Sequence, residues 1–316
     1  MVKYLRIADG KLVNAQHDQA QVLVFIAPSE DERKYLVETL KLDEHTLNSA
    51  LDPDELSRLE FEPEHAALIF KRPRNYSSED QFLFKVASTG VFLFKDFMII
   101  VLADDAPLFE GRGFGRIASL QDVFLRMLYR SVFHYEEHLR VINMITDQLE
   151  QEVNKTMDNK HLVSLFTLQK SLVYYLNAIT SNLRLIDKLK IHGLRLGFSV
   201  ENQEFLDDLV IETTQCQEQA NVHSQVLAGL MDARVGVVNN NLNVLMKTLT
   251  LVMICIMLPQ LVVSLFSMNV DLPFPAPVDR ADNEIERVMW PFIVIVIISV
   301  VSIALTWMFL RFKKIK

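Results

Sequence analysis

Hydrophobic and polar positions change rhythm twice along this 316-residue chain. In roughly the first hundred residues, short apolar runs alternate with turn chemistry, the mark of strands. Residues 2–7 and 11–13 flank Asp9-Gly10, a dipeptide suited to a tight hairpin, and 22–27 is an apolar strand. Ser29-Glu30-Asp31-Glu32 is a capping box that opens a helix toward Leu40. Further strands are predicted at 66–71, 82–87, 91–94 and 97–102. The stretch 111–116 (GRGFGR) breaks the pattern. It lacks the third glycine of a phosphate loop and no strand leads directly into it, so it reads as a linker.

From Ser119 the rhythm becomes helical. Leu120, Phe124, Met127 and Leu128, then Leu139, Ile142, Ile145 and Leu149, recur at three and four spacing, and no proline occurs between Ser119 and Asn243. Breaks near Asp158-Asn159 and across 193–199 divide this region into three long helices. The third runs without a breaker into an apolar region. Its stretch from Ser199 to Thr248, about 50 residues, would extend ~75 Å and link the two regions mechanically.

The last change of rhythm is the most informative. No charged residue lies between Lys247 and Asp271, or between Arg287 and Arg311, which leaves two runs of 23 residues each. At about 1.5 Å per residue each run crosses a hydrocarbon core of about 30 Å, so two transmembrane helices are predicted at 248–270 and 288–310. Arg311, Lys313, Lys314 and Lys316 follow the second helix and Lys247 precedes the first. The loop at 271–287 carries Asp271, Asp279, Asp282, Glu284 and Glu286 against Arg280 and Arg287. Cations mark the cytoplasmic side, so both termini are expected inside and the loop outside, in a multi-pass protein of the cell (inner) membrane. Residues 1–10 lack the apolar core of a signal peptide. The division that follows is a cytoplasmic α/β domain at 1–117, a helical stalk at 118–247, the two membrane helices with their loop, and a basic tail at 311–316.

Composition agrees with this local arrangement. Half of the residues are hydrophobic and mean hydropathy is +0.17, yet 23% are charged, too many for a chain lying mostly in lipid. The part from Leu245 onward has seven Lys/Arg and five Asp/Glu, so the net charge of −8 becomes −10 over the first 244 residues. Such an acidic body is a poor nucleic-acid binder and a plausible host for cations. Cys216 and Cys255 lie far apart in a charged helix and a membrane segment, which fits reduced thiols rather than a disulfide framework.

Two constellations bear on chemistry. His134-Tyr135-Glu136-Glu137-His138 matches the metalloprotease pattern H-x-x-E-H, but it sits in a long polar helix without an evident third ligand. Solvated or inter-helix histidines are the expected reading. No nucleophile elbow, P-loop or CxxC cluster accompanies it, and the sequence makes no case for an enzyme. The first membrane segment says more. Asn239, Asn240, Asn241 and Asn243 crowd its cytoplasmic end. Asn243, Met246, Thr250, Met253, Met257, Gln260 and Ser264 then recur at three and four spacing. A polar stripe within lipid must face protein or water. A helix-packing face would use Thr250 and Ser264, whereas Gln260 and the asparagines favour a pore lining. One helix cannot enclose a pore, so several copies must surround an axis as a symmetric oligomer.

At the outer end of this helix stands Ser267-Met268-Asn269. Here the chain resembles the CorA family of divalent metal ion transporters, whose mark is Gly-Met-Asn closing the first of two C-terminal transmembrane helices. The resemblance covers nearly the whole length. It takes in the acidic α/β domain with Leu51-Asp52 and Leu56-Ser57-Arg58-Leu59-Glu60, the stalk, the stretch 243–250 (NVLMKTLT), the short external loop and the basic tail. Ser267 replaces the motif glycine, and the loop reads Val270-Asp271-Leu272-Pro273, similar to a branch of the family with a proline-containing loop.

The resemblance implies a homopentameric funnel that moves divalent cations, chiefly Mg²⁺ with Co²⁺ and Ni²⁺ as further candidates. Transport would be driven by the membrane potential and gated by cytoplasmic metal. It implies Ser267, Met268 and Asn269 as the selectivity filter. Asn243 becomes an inner pore ring, Met246, Leu249 and Met257 an apolar constriction, and Gln260 a further pore-lining residue. Carboxylates at Asp208 and Glu212, with Asp207 nearby, become candidates for a regulatory metal site between protomers. No resident cofactor is implied; Mg²⁺ is cargo and regulator, and the partners are further copies of the chain, the bilayer and divalent cations. Two alternatives stay open: a Zn²⁺ transporter of the same superfamily, and a non-conducting membrane-anchored paralogue.

Overall fold

A computed structural model describes residues 1–76, 82–109, 114, 116–155, 159–267 and 284–313. The chain divides into two compact units, Met1–Asp232 and Ala233–Lys316.

In the first unit the described residues build a seven-stranded sheet from β1 (Val2–Ala8), β2 (Lys11–Asn14), β3 (Val22–Ile26), β4 (Arg58–Phe61), β5 (Ala66–Pro73), β6 (Val86–Leu93) and β7 (Met98–Leu102). Its order is β2-β1-β3-β7-β6-β5-β4. Neighbours are antiparallel except β3 and β7, paired in parallel from Val22↔Met98 to Ile26↔Leu102. These two central strands are buried throughout, and their apolar runs follow from having both faces covered.

Alternation along the strands separates two cores. Val24, Leu68, Phe70, Val91 and Ile100 face one way, toward the long helices α3 (Leu120–Lys155), α4 (Asn159–Ile191) and the first part of α5 (Val200–Phe266). Phe25, Ile69, Phe92 and Ile99 face the other way, onto Leu36, Leu47 and Ala50. Those residues come from the turns after α1 (Glu30–Lys34) and from α2 (Glu44–Leu51). Ser29 caps α1: Glu32 N–H donates to its hydroxyl, and its own N–H donates to the Glu32 carboxylate, as the capping box predicts.

The helix–sheet junction is polar as well as apolar. Asn182 on α4 is 1% exposed. Its Oδ1 accepts from the Lys71 N–H at 2.8 Å and from the Ser57 hydroxyl at 2.7 Å, and its Nδ2 donates to the Lys71 carbonyl at 2.7 Å. Ser57 N–H also donates to Ser181 Oγ at 2.6 Å. The segment Leu56–Glu60 therefore holds the start of β4 to α4.

Several expectations differ from what is found. The two strands predicted at 82–87 and 91–94 are one, β6, and it begins later. Phe82 has φ +68° and sits in the left-handed region, so a strand cannot run through it. Gly90 does not end the strand: it pairs with Ile69 and Val101, and a Cβ there would come within 2.4 Å of Ala50 Cβ. Glycine at this position lets α2 approach the sheet. Neither α2 nor β4 was predicted, because each is short and neither shows a strong period. Part of the GRGFGR linker lies outside the described residues.

The second unit contains the remainder of α5 and α6 (Glu284–Lys313). By length and composition α5 is apolar enough to cross a membrane, and α6 holds a shorter apolar stretch at Met289–Leu305.

Candidate ion pathway

Helix α5 changes character along its length. Up to Met231 it buries Leu206, Leu209, Thr213, Cys216, Ala220, Leu227 and Met231 in the first unit at three, four and seven spacing, the stripe of a helix packed on its neighbours. From Ala233 onward none of its described residues is buried.

Within the second unit, coverage is still one-sided. The half-covered residues of the apolar part of α5 are Leu251, Cys255, Leu258, Pro259 and Val262. On α6 the half-covered set is Pro291, Val294, Ile295, Ile298, Ser299 and Ser302. Each set recurs at three and four spacing, so each helix has one face that packs. At about 100° per residue the polar stripe Asn243, Met246, Thr250, Met253, Met257, Gln260 and Ser264 falls on the side of α5 opposite its half-covered face. Asn243, Leu249 and Gln260 are exposed, and Met246 and Met257 are 58% and 59% exposed. The Thr250 hydroxyl donates to the Met246 carbonyl at 2.8 Å, which satisfies it within the helix.

Ser267 directly follows α5. Its N–H continues the helical pattern to the Val263 carbonyl at 3.0 Å, and its hydroxyl donates to the Ser264 carbonyl at 2.8 Å. Met268 and Asn269 lie outside the described residues, as do the loop residues 271–283 and Lys314 and Lys316 of the tail.

The carboxylates expected to sense metal lie one turn apart on α5 and differ in their surroundings. Asp208 is exposed and has no partner among the described residues, whereas adjacent Asp207 is ion-paired with Lys190 on α4. Glu212 is half-buried and interacts with Glu136 of α3, whose carboxyl is pushed above the usual range first by burial and then by the Glu212 charge. Among the described residues no group of three or more His, Cys, Asp and Glu side chains is placed to hold a metal.

The H-x-x-E-H histidines serve packing between helices. His138 Nδ1 lies 2.6 Å from the Tyr175 hydroxyl on α4, and the His134 and His138 rings are 4.3 Å apart. Burial holds both imidazoles down to about 4, so they are neutral at ordinary pH.

The sequence model of the CorA-like Mg²⁺ transporter proteins matches residues 19–314. The chain belongs to this family. Its members are membrane ion transporters and not enzymes. The cobalt/magnesium transport protein CorA of Methanocaldococcus jannaschii is 23% identical over 291 residues, covering 85% of this chain and 88% of that one. The complete structure of the CorA magnesium transporter from the same organism superposes with a TM-score of 0.78 at 21% identity, over 98% of this chain and 96% of that chain. The full-length CmaX protein gives a TM-score of 0.67 at 14% identity, over 99% and 97%. At such identities the structural likeness shows the fold: an N-terminal α/β domain, long helices and a C-terminal apolar pair.

Proposed function

We propose that the chain is a channel-like transporter of divalent cations, Mg²⁺ foremost, that works as a homopentamer in the cell (inner) membrane with both termini cytoplasmic. The carrying observation is the polar stripe of α5, exposed and turned away from the face that packs. Such a stripe is costly against lipid and suited to a central axis lined by several copies. In this reading 248–270 lines the pore, 288–310 surrounds it, and 271–287 forms the outer loop.

The chemistry of the stripe fits a hydrated cation. Mg²⁺ dehydrates reluctantly, so amide oxygens that bind its water shell at Asn269 and Asn243 avoid that cost. Met246, Leu249 and Met257 form apolar rings that gate by dewetting, with Gln260 a polar station beyond them. Two positive charges moving inward gain about 4.6 kcal/mol per 100 mV of inside-negative potential, so no chemical coupling is required.

Reconstitution in liposomes loaded with a Mg²⁺-sensitive dye tests this directly. Uptake should follow an imposed inside-negative potential, and the detergent-purified protein should have the mass of a pentamer. A stable monomer or dimer would sink the pore. Uptake of Zn²⁺ but not Mg²⁺ would assign the chain to the zinc-transporting branch, and no flux of either would leave a membrane-anchored scaffold.

Regulation follows from Asp208. An exposed carboxylate with no partner among the described residues is suited to bind a cation against a neighbouring protomer. Asp208→Ala should then weaken inhibition by millimolar Mg²⁺ on the cytoplasmic side in the same liposomes. An unchanged inhibition curve would leave Asp208 as surface charge.

A further inference from the structure

Two exposed stripes run along the helices of the first unit, each on the side turned away from the sheet. On α4, Val163, Phe166, Val173 and Tyr174 fall on one side of the helix and are exposed, Phe166 at 59%. Nearer the end of α4 the same side carries Arg184 and Lys188, both exposed and without an ion partner among the described residues. On α5, Ile211, Val222 and Val226 are exposed opposite the buried stripe of that helix, Val222 at 55%. Glu204, Asp208 and Glu218 share this side, again exposed and without an ion partner among the described residues. Apolar side chains grouped in water mark an interaction surface, and the two stripes are of opposite charge.

Their heights also correspond. Helices α4 and α5 run antiparallel, tied where Gln217 Nε2 donates to Thr180 Oγ1 at 2.7 Å and where Lys190 pairs with Asp207. Both ties give one register. In it Val173 and Tyr174 stand level with 223–224, between Val222 and Val226, and Lys188 and Arg184 stand level with 209 and 213, beside Asp208. A rotation about an axis along the helices leaves every residue at its own height. It brings the α4 stripe of one copy to the α5 stripe of another with apolar residues level and charges opposed. A two-fold axis across the helices inverts the heights and carries Arg184 and Lys188 past Val226, away from Asp208.

We propose that the outer stripe of α4 docks on the outer stripe of α5 of the next copy of this chain. The inference rests on the pentamer of the proposed function and deepens it, since a head-to-tail contact repeats until the ring closes. Charge complementarity fixes the register of the two helices, and the apolar residues supply the buried area. The contact also sets Asp208 at the border between copies, where the regulatory reading needs it.

The test is disulfide trapping in the full-length protein in detergent, with no need of transport. Tyr174→Cys and Val222→Cys are placed together on every chain, the sample is oxidised, and linked masses are read after denaturation without reductant. Cys216 is buried, and wild-type protein controls for Cys255. The double variant should give a ladder of linked copies ending at five, and neither single variant should link at all. Adding Arg184→Glu and Lys188→Glu should slow the linking about tenfold, because like charges then meet on the two stripes. Dimers from either single variant would show that like helices meet and would overturn the contact. Links confined within one chain, or none, in a protein whose native mass is that of a pentamer would overturn it too, and would leave the pore reading standing. A native mass below five copies would overturn both.

Discussion

Asn269→Ala is expected to abolish divalent-cation uptake while leaving a pentamer of normal yield. The motif Ser267-Met268-Asn269 offers one side-chain amide, and in a pentamer it is repeated around the axis. A Mg²⁺ ion arriving with its water shell presents strongly polarised O–H donors, and hydrogen bonds to charged partners contribute about 1.5–3 kcal/mol each. Losing even one such bond costs about tenfold in occupancy, and losing the whole ring costs several more factors of ten. Alanine cannot accept these bonds. Assembly, in the proposed pentamer, would draw on the rest of α5, on α6 and on the first unit, which the substitution does not touch. Mg²⁺ uptake into dye-loaded liposomes, with native mass on the same sample, measures both. Wild-type flux in the alanine variant would reduce Asn269 to a helix-end residue and move the filter elsewhere.

The apolar segments are legible because membrane helices obey few rules. Two charge-free runs, a basic tail and a periodic polar stripe are first-order consequences of the cost of putting charge in lipid. The same holds for α3, α4 and α5, whose three and four spacing matches the observed helices Leu120–Lys155, Asn159–Ile191 and Val200–Phe266. Short elements were harder. Leu51-Asp52 ends α2 and Ser57 stands just before β4, and what holds Ser57 is Asn182, more than a hundred positions away. Strands at 82–87 and 91–94 leave Gly90 between them, whereas it lies within β6 and answers to Ala50 across the sheet. Asp208 and Glu212, alike as acidic residues one turn apart, diverge because α3 brings Glu136 to one of them. Local periodicity cannot carry such information, since each case depends on a partner supplied by another element.

The same long-range dependence makes Asn182 a sensitive polar position in the first unit. Its amide is complementary to the Lys71 peptide, taking the N–H and serving the carbonyl, and it also accepts the Ser57 hydroxyl. Lys71 lies in the interior of β5 at 3% exposure, so water cannot replace a lost partner there. Asn182→Ala leaves the Lys71 N–H unserved and opens a gap at the junction of β4, β5 and α4. The expected loss is about 3 kcal/mol, or a fall of roughly 8 °C in the unfolding midpoint of a unit this size. Asn182→Asp separates hydrogen bonding from packing. The carboxylate keeps the shape and both accepting contacts, yet it has no N–H for the Lys71 carbonyl and sets an anion against it. If the amide bonds matter, the aspartate variant should unfold at least as early as the alanine variant at neutral pH. It should recover stability as the pH falls and the carboxyl takes up the proton that the carbonyl lacks. An aspartate variant as stable as the wild type at neutral pH would show that volume alone holds α4 to the sheet.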